Sequence, residues 1–127
     1  MAAIKIITNN PLVWEKYPDH CQKVEGDPGA VYTVARDLIH KGAMLLSHPL
    51  SGSIKPNVSP AKSVVLGMRE GEVDHTSVKF IEEALAVLIK MPPKQIPWTA
   101  DLILDFQVID ASLIDSALQG LPMPYRL

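Results

Sequence analysis

Cysteine occurs once in this chain, at Cys21, so neither a disulfide framework nor a thiolate zinc cluster can be built from it. Cys21 has no C-x-x-C partner, which removes a thioredoxin-like redox role, and a lone thiol fits a reducing compartment. No apolar run approaches the length that spans a bilayer, and the Met1–Lys5 start lacks the apolar core of a signal peptide. The expectation is a soluble cytoplasmic protein with no membrane partner. There is no surplus of basic charge either. A net charge of -2 and a pI near 6.0 argue against nucleic acid as a partner, since such a surface must displace counterions.

Several catalytic and cofactor signatures are also missing. No G-x-G-x-x-G follows a strand pattern, and there is no G-x-x-x-x-G-K-[ST] or G-x-S-x-G, so no nucleotide cofactor and no hydrolase elbow is indicated. His20, His40, His48 and His75 are scattered without metal-ligand spacing. Asp101 and Asp105, one helical turn apart, read as a solvated face. Trp14 and Trp98 read as packing residues. No cofactor, metal or catalytic residue is assigned.

What the chain does contain is the stretch Ser47–Ser63, SHPLSGSIKPNVSPAKS, with three prolines, five serines and no acid. A polar connection of this length inside a compact domain is uncommon and is usually functional or disordered. It lies in a wider window, from Asp37 to Glu70, that has no Asp or Glu between those ends but holds His40, Lys41, His48, Lys55, Lys62 and Arg69. Lysines and hydroxyls without a nearby carboxylate suit an anion.

The pattern around this stretch predicts alternating strands and helices. Ile4–Thr8 is a buried strand, and Asn9-Asn10-Pro11 starts a short helix, with Asn10 as cap and Pro11 at the first position. Cys21–Glu25 is a weak strand. Asp27-Pro28 repeats the cap-and-proline signal before a helix with Val31, Val34, Ala35, Leu38 and Ile39 on one face, stopped at Gly42. Strands follow at 43–47 and 63–68, then a helix at about 75–91. Thr99 caps a last helical region with Leu102, Phe106, Ile109, Leu113 and Ala117 at helical spacing. That region is read as one helix or as two, with Asp110 as a second cap. The whole, residues 1–127, is predicted to be a single α/β domain with a loosely packed tail at 120–127. Its fold class is a small three-layer α/β/α sandwich, Rossmann-like, with about four mostly parallel strands.

In such sheets ligands gather outside the carboxyl ends of the strands. Thr8-Asn9-Asn10 leaves the first strand and the long connection leaves the third, so the two meet at one rim if these strands are neighbours. The candidate ligand-binding residues are therefore Asn9, Asn10, His48, Ser51, Ser53, Lys55, Asn57 and Lys62. Asn9 and Asn10 could orient a polar ligand or simply end the strand and cap the helix. His48, with no carboxylate near it in sequence, could be a base or a locally bonded ring.

Three blocks together resemble one known family: Ile6-Ile7-Thr8-Asn9-Asn10-Pro11, the run Val34–Gly42, and His48-Pro49-Leu50 through Lys55-Pro56-Asn57. Asp105–Asp110 adds to the likeness, which extends over essentially the whole chain. They resemble the GrdX family, whose members are encoded beside the subunits of glycine, sarcosine and betaine reductases of amino-acid fermentation. The resemblance implies an accessory or regulatory protein, with reductase subunits as partners and no catalytic residue to carry over. Two other readings stand beside it. One is an α/β protein or enzyme that binds a small anion or phosphate through the 47–63 connection. The other makes that connection a docking surface, or builds a homodimer on the C-terminal helices.

Overall fold

The structure, a computed structural model, describes residues 3–50, 57–92 and 94–127. The candidates Ser51, Ser53 and Lys55 lie outside the described residues. Among the described residues, eight elements follow in order: β1 (Ile4–Thr8), α1 (Pro11–Lys16), β2 (Cys21–Lys23), α2 (Pro28–Ile39), β3 (Met44–Leu45), β4 (Ser63–Gly67), α3 (His75–Lys90) and α4 (Ala100–Gln119).

The strands form one sheet in the order β2-β1-β4-β3. The sheet is mixed, which corrects the expectation of a mostly parallel, Rossmann-like arrangement. Only β1 and β2 run parallel, with Ile6 opposite Cys21. β4 is antiparallel to both neighbours, pairing Thr8 with Ser63 and Ile4 with Gly67 on one side, and Leu45 with Leu66 on the other. The physical reason lies in the connection from β3 to β4. A parallel return needs a crossover, usually a helix, and no helix occurs between β3 and β4 among the described residues. The chain turns back along the same rim instead.

Both faces of the sheet are covered. Ile7, Val64 and Leu66 pack against Val31, Tyr32, Ala35 and Ile39 of α2 and Ile81 and Ala84 of α3. Ile4, Ile6 and Val65 pack on the opposite side against Val13 of α1 and Ile114 and Leu118 of α4. This explains why Val64-Val65-Leu66 in β4 is an unbroken apolar run: every residue of the strand is buried. Each such side chain contributes roughly 1.5–3 kcal/mol on full burial.

The helix starts follow the sequence signals. Asn10 caps α1 by accepting from Leu12 N, Asp27 caps α2 through Ala30 N, and Thr99 caps α4 through Leu102 N. Asp74 caps α3, accepting from both the N–H and the hydroxyl of Ser77, and these bonds hold its carboxyl below the ordinary range. The last helical region is one continuous helix. It presents Asp110, Ile114 and Leu118 to the sheet, 5 %, 3 % and 8 % exposed. The face expected from Ile109 and Leu113 is the outer one, at 42 % and 37 %. At the far end of the sheet, the Tyr125 ring occupies the space that a side chain on Gly67 would need.

Candidate functional site

β1 and β3 are not neighbours, because β4 lies between them. The rim is nevertheless shared, since β4 begins where β1 ends and Ser63 stands opposite Thr8. Asn9 and Asn10 leave β1 there and bond in different directions. Asn9 Nδ2 donates to Gly26 O and Pro60 O, both at 2.9 Å, while its Oδ1 accepts from Lys62 N at 2.8 Å. Asn9 therefore ties the start of α2 to the returning connection. Asn10, wholly buried, reaches the other way, with Nδ2 donating to Gln107 O at 2.8 Å and to Asp110 Oδ2 at 3.0 Å on α4.

Around Asp110 the polar groups form a closed chain. Asn10 N donates to Thr8 Oγ1, the Thr8 and Ser63 hydroxyls are 2.6 Å apart, and Ser63 Oγ lies 2.7 Å from Asp110 Oδ2. With one proton per hydroxyl, one direction satisfies every member. Thr8 donates to Ser63, and Ser63 donates to Asp110. A buried carboxylate receiving two donors is stabilised in place, and here it fixes α4 on the strand ends.

Asp110 also changes the electrostatics expected from the sequence. The window from 38 to 69 holds no acid in sequence, but α4 brings one to its edge. Lys62 is half-buried, and desolvation lowers its ammonium below the ordinary lysine value while the Asp110 charge works against that shift. Burial raises the Tyr32 phenol above its ordinary value, with Asp110 acting in the same direction. The Tyr32 hydroxyl donates to Pro49 O at 2.7 Å and anchors the outgoing end of the connection. His48 is held locally: its Nδ1 accepts from Leu50 N at 3.1 Å, and its ring lies 4.9 Å from that of Phe80.

Asn57 belongs to a second feature. Its Nδ2 donates to Pro92 O, its carbonyl accepts from Lys94 N, and its Oδ1 is buried without a partner among the described residues. It stands on the wall of a cleft of about 220 Å³. The start of α2 (Asp27, Gly29), Pro60, Leu88 of α3, Lys94 and Trp98 enclose the rest. Trp98 in turn meets Phe106 edge-on, ring centroids 5.6 Å apart. The structure thus divides the candidates. Asn10 joins the Asp110 chain, Asn57 joins the cleft, Asn9 stands between them, and His48 joins neither.

Sequence reasoning did not single out Thr8, Ser63 or Asp110 as one group, nor Asp27, Lys94 and Trp98 as another. A signal existed for the first. Thr8 and Ser63 are the polar ends of the apolar runs Ile6-Ile7 and Val64-Val65-Leu66, and Asp110 lies on the same helical face as Ile114 and Leu118.

A family model described as GrdX-like protein matches residues 5–119. The chain belongs to the GrdX-like family. No curated protein and no solved structure gives a significant match. The matched span runs from β1 to the end of α4, so this GrdX-like domain includes both the Asp110 chain and the cleft. Among the described residues there is no cluster of His, Cys, Asp and Glu able to hold a metal ion, and no helix is long and apolar enough to cross a membrane.

Proposed function

We propose that this GrdX-like protein is an accessory or regulatory protein of a glycine, sarcosine or betaine reductase system, and that it acts by binding rather than by turnover. The family match over 5–119 carries this reading. The rim chemistry supports it. The buried carboxylate at the strand ends is taken up by Asn10 and Ser63, so it serves as a fastener for α4 and not as a base beside a free nucleophile. The outer side of α4 carries exposed Leu104, Val108, Ile109 and Leu113 and is the surface on which we expect a reductase subunit to sit.

The test is direct association of the purified chain with each purified reductase subunit, followed by sedimentation. The expected outcome is a complex with one subunit that Val108→Glu weakens at least ten-fold. If none of the subunits shifts the sedimentation of the chain, the reading is lost.

A second reading is favoured by one observation, the half-buried and desolvated ammonium of Lys62 at the end of the connection. Such a cation, with the hydroxyls of 47–63, would hold a small anion. Inorganic phosphate at about 100 times its dissociation constant would stabilise the fold by about 2.7 kcal/mol. A thermal-shift titration in which phosphate leaves the melting temperature unmoved, or in which Lys62→Ala and Lys55→Ala leave a shift intact, rejects it.

A further inference from the structure

The cleft beside Asn57 carries two opposite charges that the fold does not spend on each other. Asp27 and Lys94 both line it, and neither forms an ion pair among the described residues. Asp27 Oδ1 caps α2 through Ala30 N at 2.9 Å, while no hydrogen bond of Oδ2 occurs among the described residues. Between the charged groups the walls are apolar: Leu88, Pro60 and the indole of Trp98. Asn57, whose buried Oδ1 has no partner among the described residues, belongs to the same wall.

Gly29 adds an independent sign that the space is kept open. It lies in the first turn of α2 and is not in the left-handed region, so its backbone does not demand glycine. Glycine is the poorest helix former after proline, yet it stands here. A Cβ at this position would lie 3.3 Å from Asp27 Oδ1 and 3.9 Å from Leu88 Cδ1, between the acid and the apolar wall.

We propose that this cleft binds a free α-amino acid with an apolar side chain, its ammonium on Asp27 and its carboxylate on Lys94. A dipolar ligand is the complement of a wall with one fixed charge of each sign and an aromatic face, which attracts a cation. Size agrees. At about 30 Å³ per water, 220 Å³ is the share of roughly seven waters, which suits a ligand of about that many to ten non-hydrogen atoms. Asn9 is a positioning residue for this site, because it bonds Gly26, just before the Asp27 cap, and Pro60 on the opposite wall.

Calorimetric titration of the full chain with L-leucine, isocaproate and isoamylamine tests the assignment. Leucine should bind, and each analogue, lacking one charged group, should bind about ten-fold more weakly. Asp27→Asn keeps a good helix cap while removing the charge. It should weaken leucine about ten-fold and leave isocaproate unchanged. Gly29→Leu should abolish binding of all three at an unchanged circular-dichroism spectrum. The proposal is overturned if none of the three probes binds, if the analogues match leucine, if Asp27→Asn weakens leucine and isocaproate alike, or if Gly29→Leu still binds. The titration uses the isolated chain, so its failure is separate from failure of the reductase association.

Discussion

The two polar regions at this end of the sheet are neighbours in sequence through Asn9 and Asn10, and they treat charge in opposite ways. Around Asp110 the donors and acceptors form a chain in which Thr8, Asn10 and Ser63 each have a partner inside the protein. Across Asn9, the charges of Asp27 and Lys94 line the cleft without an ion pair, and the buried Asn57 Oδ1 has no partner, among the described residues. A saturated network contributes rigidity, because moving any member strands another in a place water does not reach. An unsaturated wall contributes little to the fold and gains only when something fills it. The same short dipeptide thus separates a structural device from a candidate binding surface.

The largest effect that would sharpen this contrast is the loss of the buried acid. Asp110→Ala removes the acceptor of the Ser63 hydroxyl and one of the two acceptors of Asn10 Nδ2, and should cost about 3 kcal/mol in urea unfolding, since bonds to charged groups are worth about 1.5–3 kcal/mol each. A loss under 1 kcal/mol would mean that the network is not a fastener. Thr8→Val interrupts the same chain at a neutral link and should cost about 1–2 kcal/mol, because Asn10 N and Ser63 lose a partner.

On the other side of the comparison, Lys94→Ala should change stability by no more than about 0.5 kcal/mol, as a charge that borders a cleft and has no ion pair among the described residues does. A cost like that of Asp110→Ala would erase the distinction. Comparably small is the effect of the pin between α1 and α4, where Tyr17 and Lys16 bond Asp115. Burial would raise the Asp115 carboxyl, but the bonds from Lys16 and Tyr17 outweigh it and leave it below the ordinary range. The Tyr17 phenol is pushed up to about 12, first by burial and then by Asp115. Its folded value exceeds the unfolded value of about 10. Its contribution is therefore complete below pH 10 and disappears as the pH climbs towards 12. Tyr17→Phe should flatten the alkaline fall in stability by less than about 1 kcal/mol, followed by urea midpoints across that range.

Much of the fold was legible because local chemistry dictates it. Asn10, Asp27 and Thr99 announce helix starts whose caps the structure contains, and Ile4–Thr8 and Ser63–Gly67 stand out as buried runs. Strand direction was not legible. A connection as long as 46–62 has the length to return either way, and only its three prolines, which disfavour a crossover helix, lean towards the antiparallel one. The orientation of α4 was hidden for a different reason. Apolar residues surround most of the helix, so Leu102, Phe106, Ile109 and Leu113 define a stripe as convincing as the one that is buried. An acid at position 110 argues against burial until Asn10 and Ser63 are seen to meet it. The site candidates share this limit: Asn57 was visible as a loop residue, but Lys94 and Trp98 reach its cleft only through the turn between α3 and α4.

One consequence follows from Gly67. Its missing side chain admits the Tyr125 ring, and beside it Met68 N donates to Ala3 O. Both described ends of the chain are therefore moored at the foot of the sheet, opposite the rim that holds the cleft. The molecule has a handle and a mouth. A surface or fusion attached beyond Tyr125 therefore leaves the cleft facing outward, so the proposed binding can be measured on an immobilised chain.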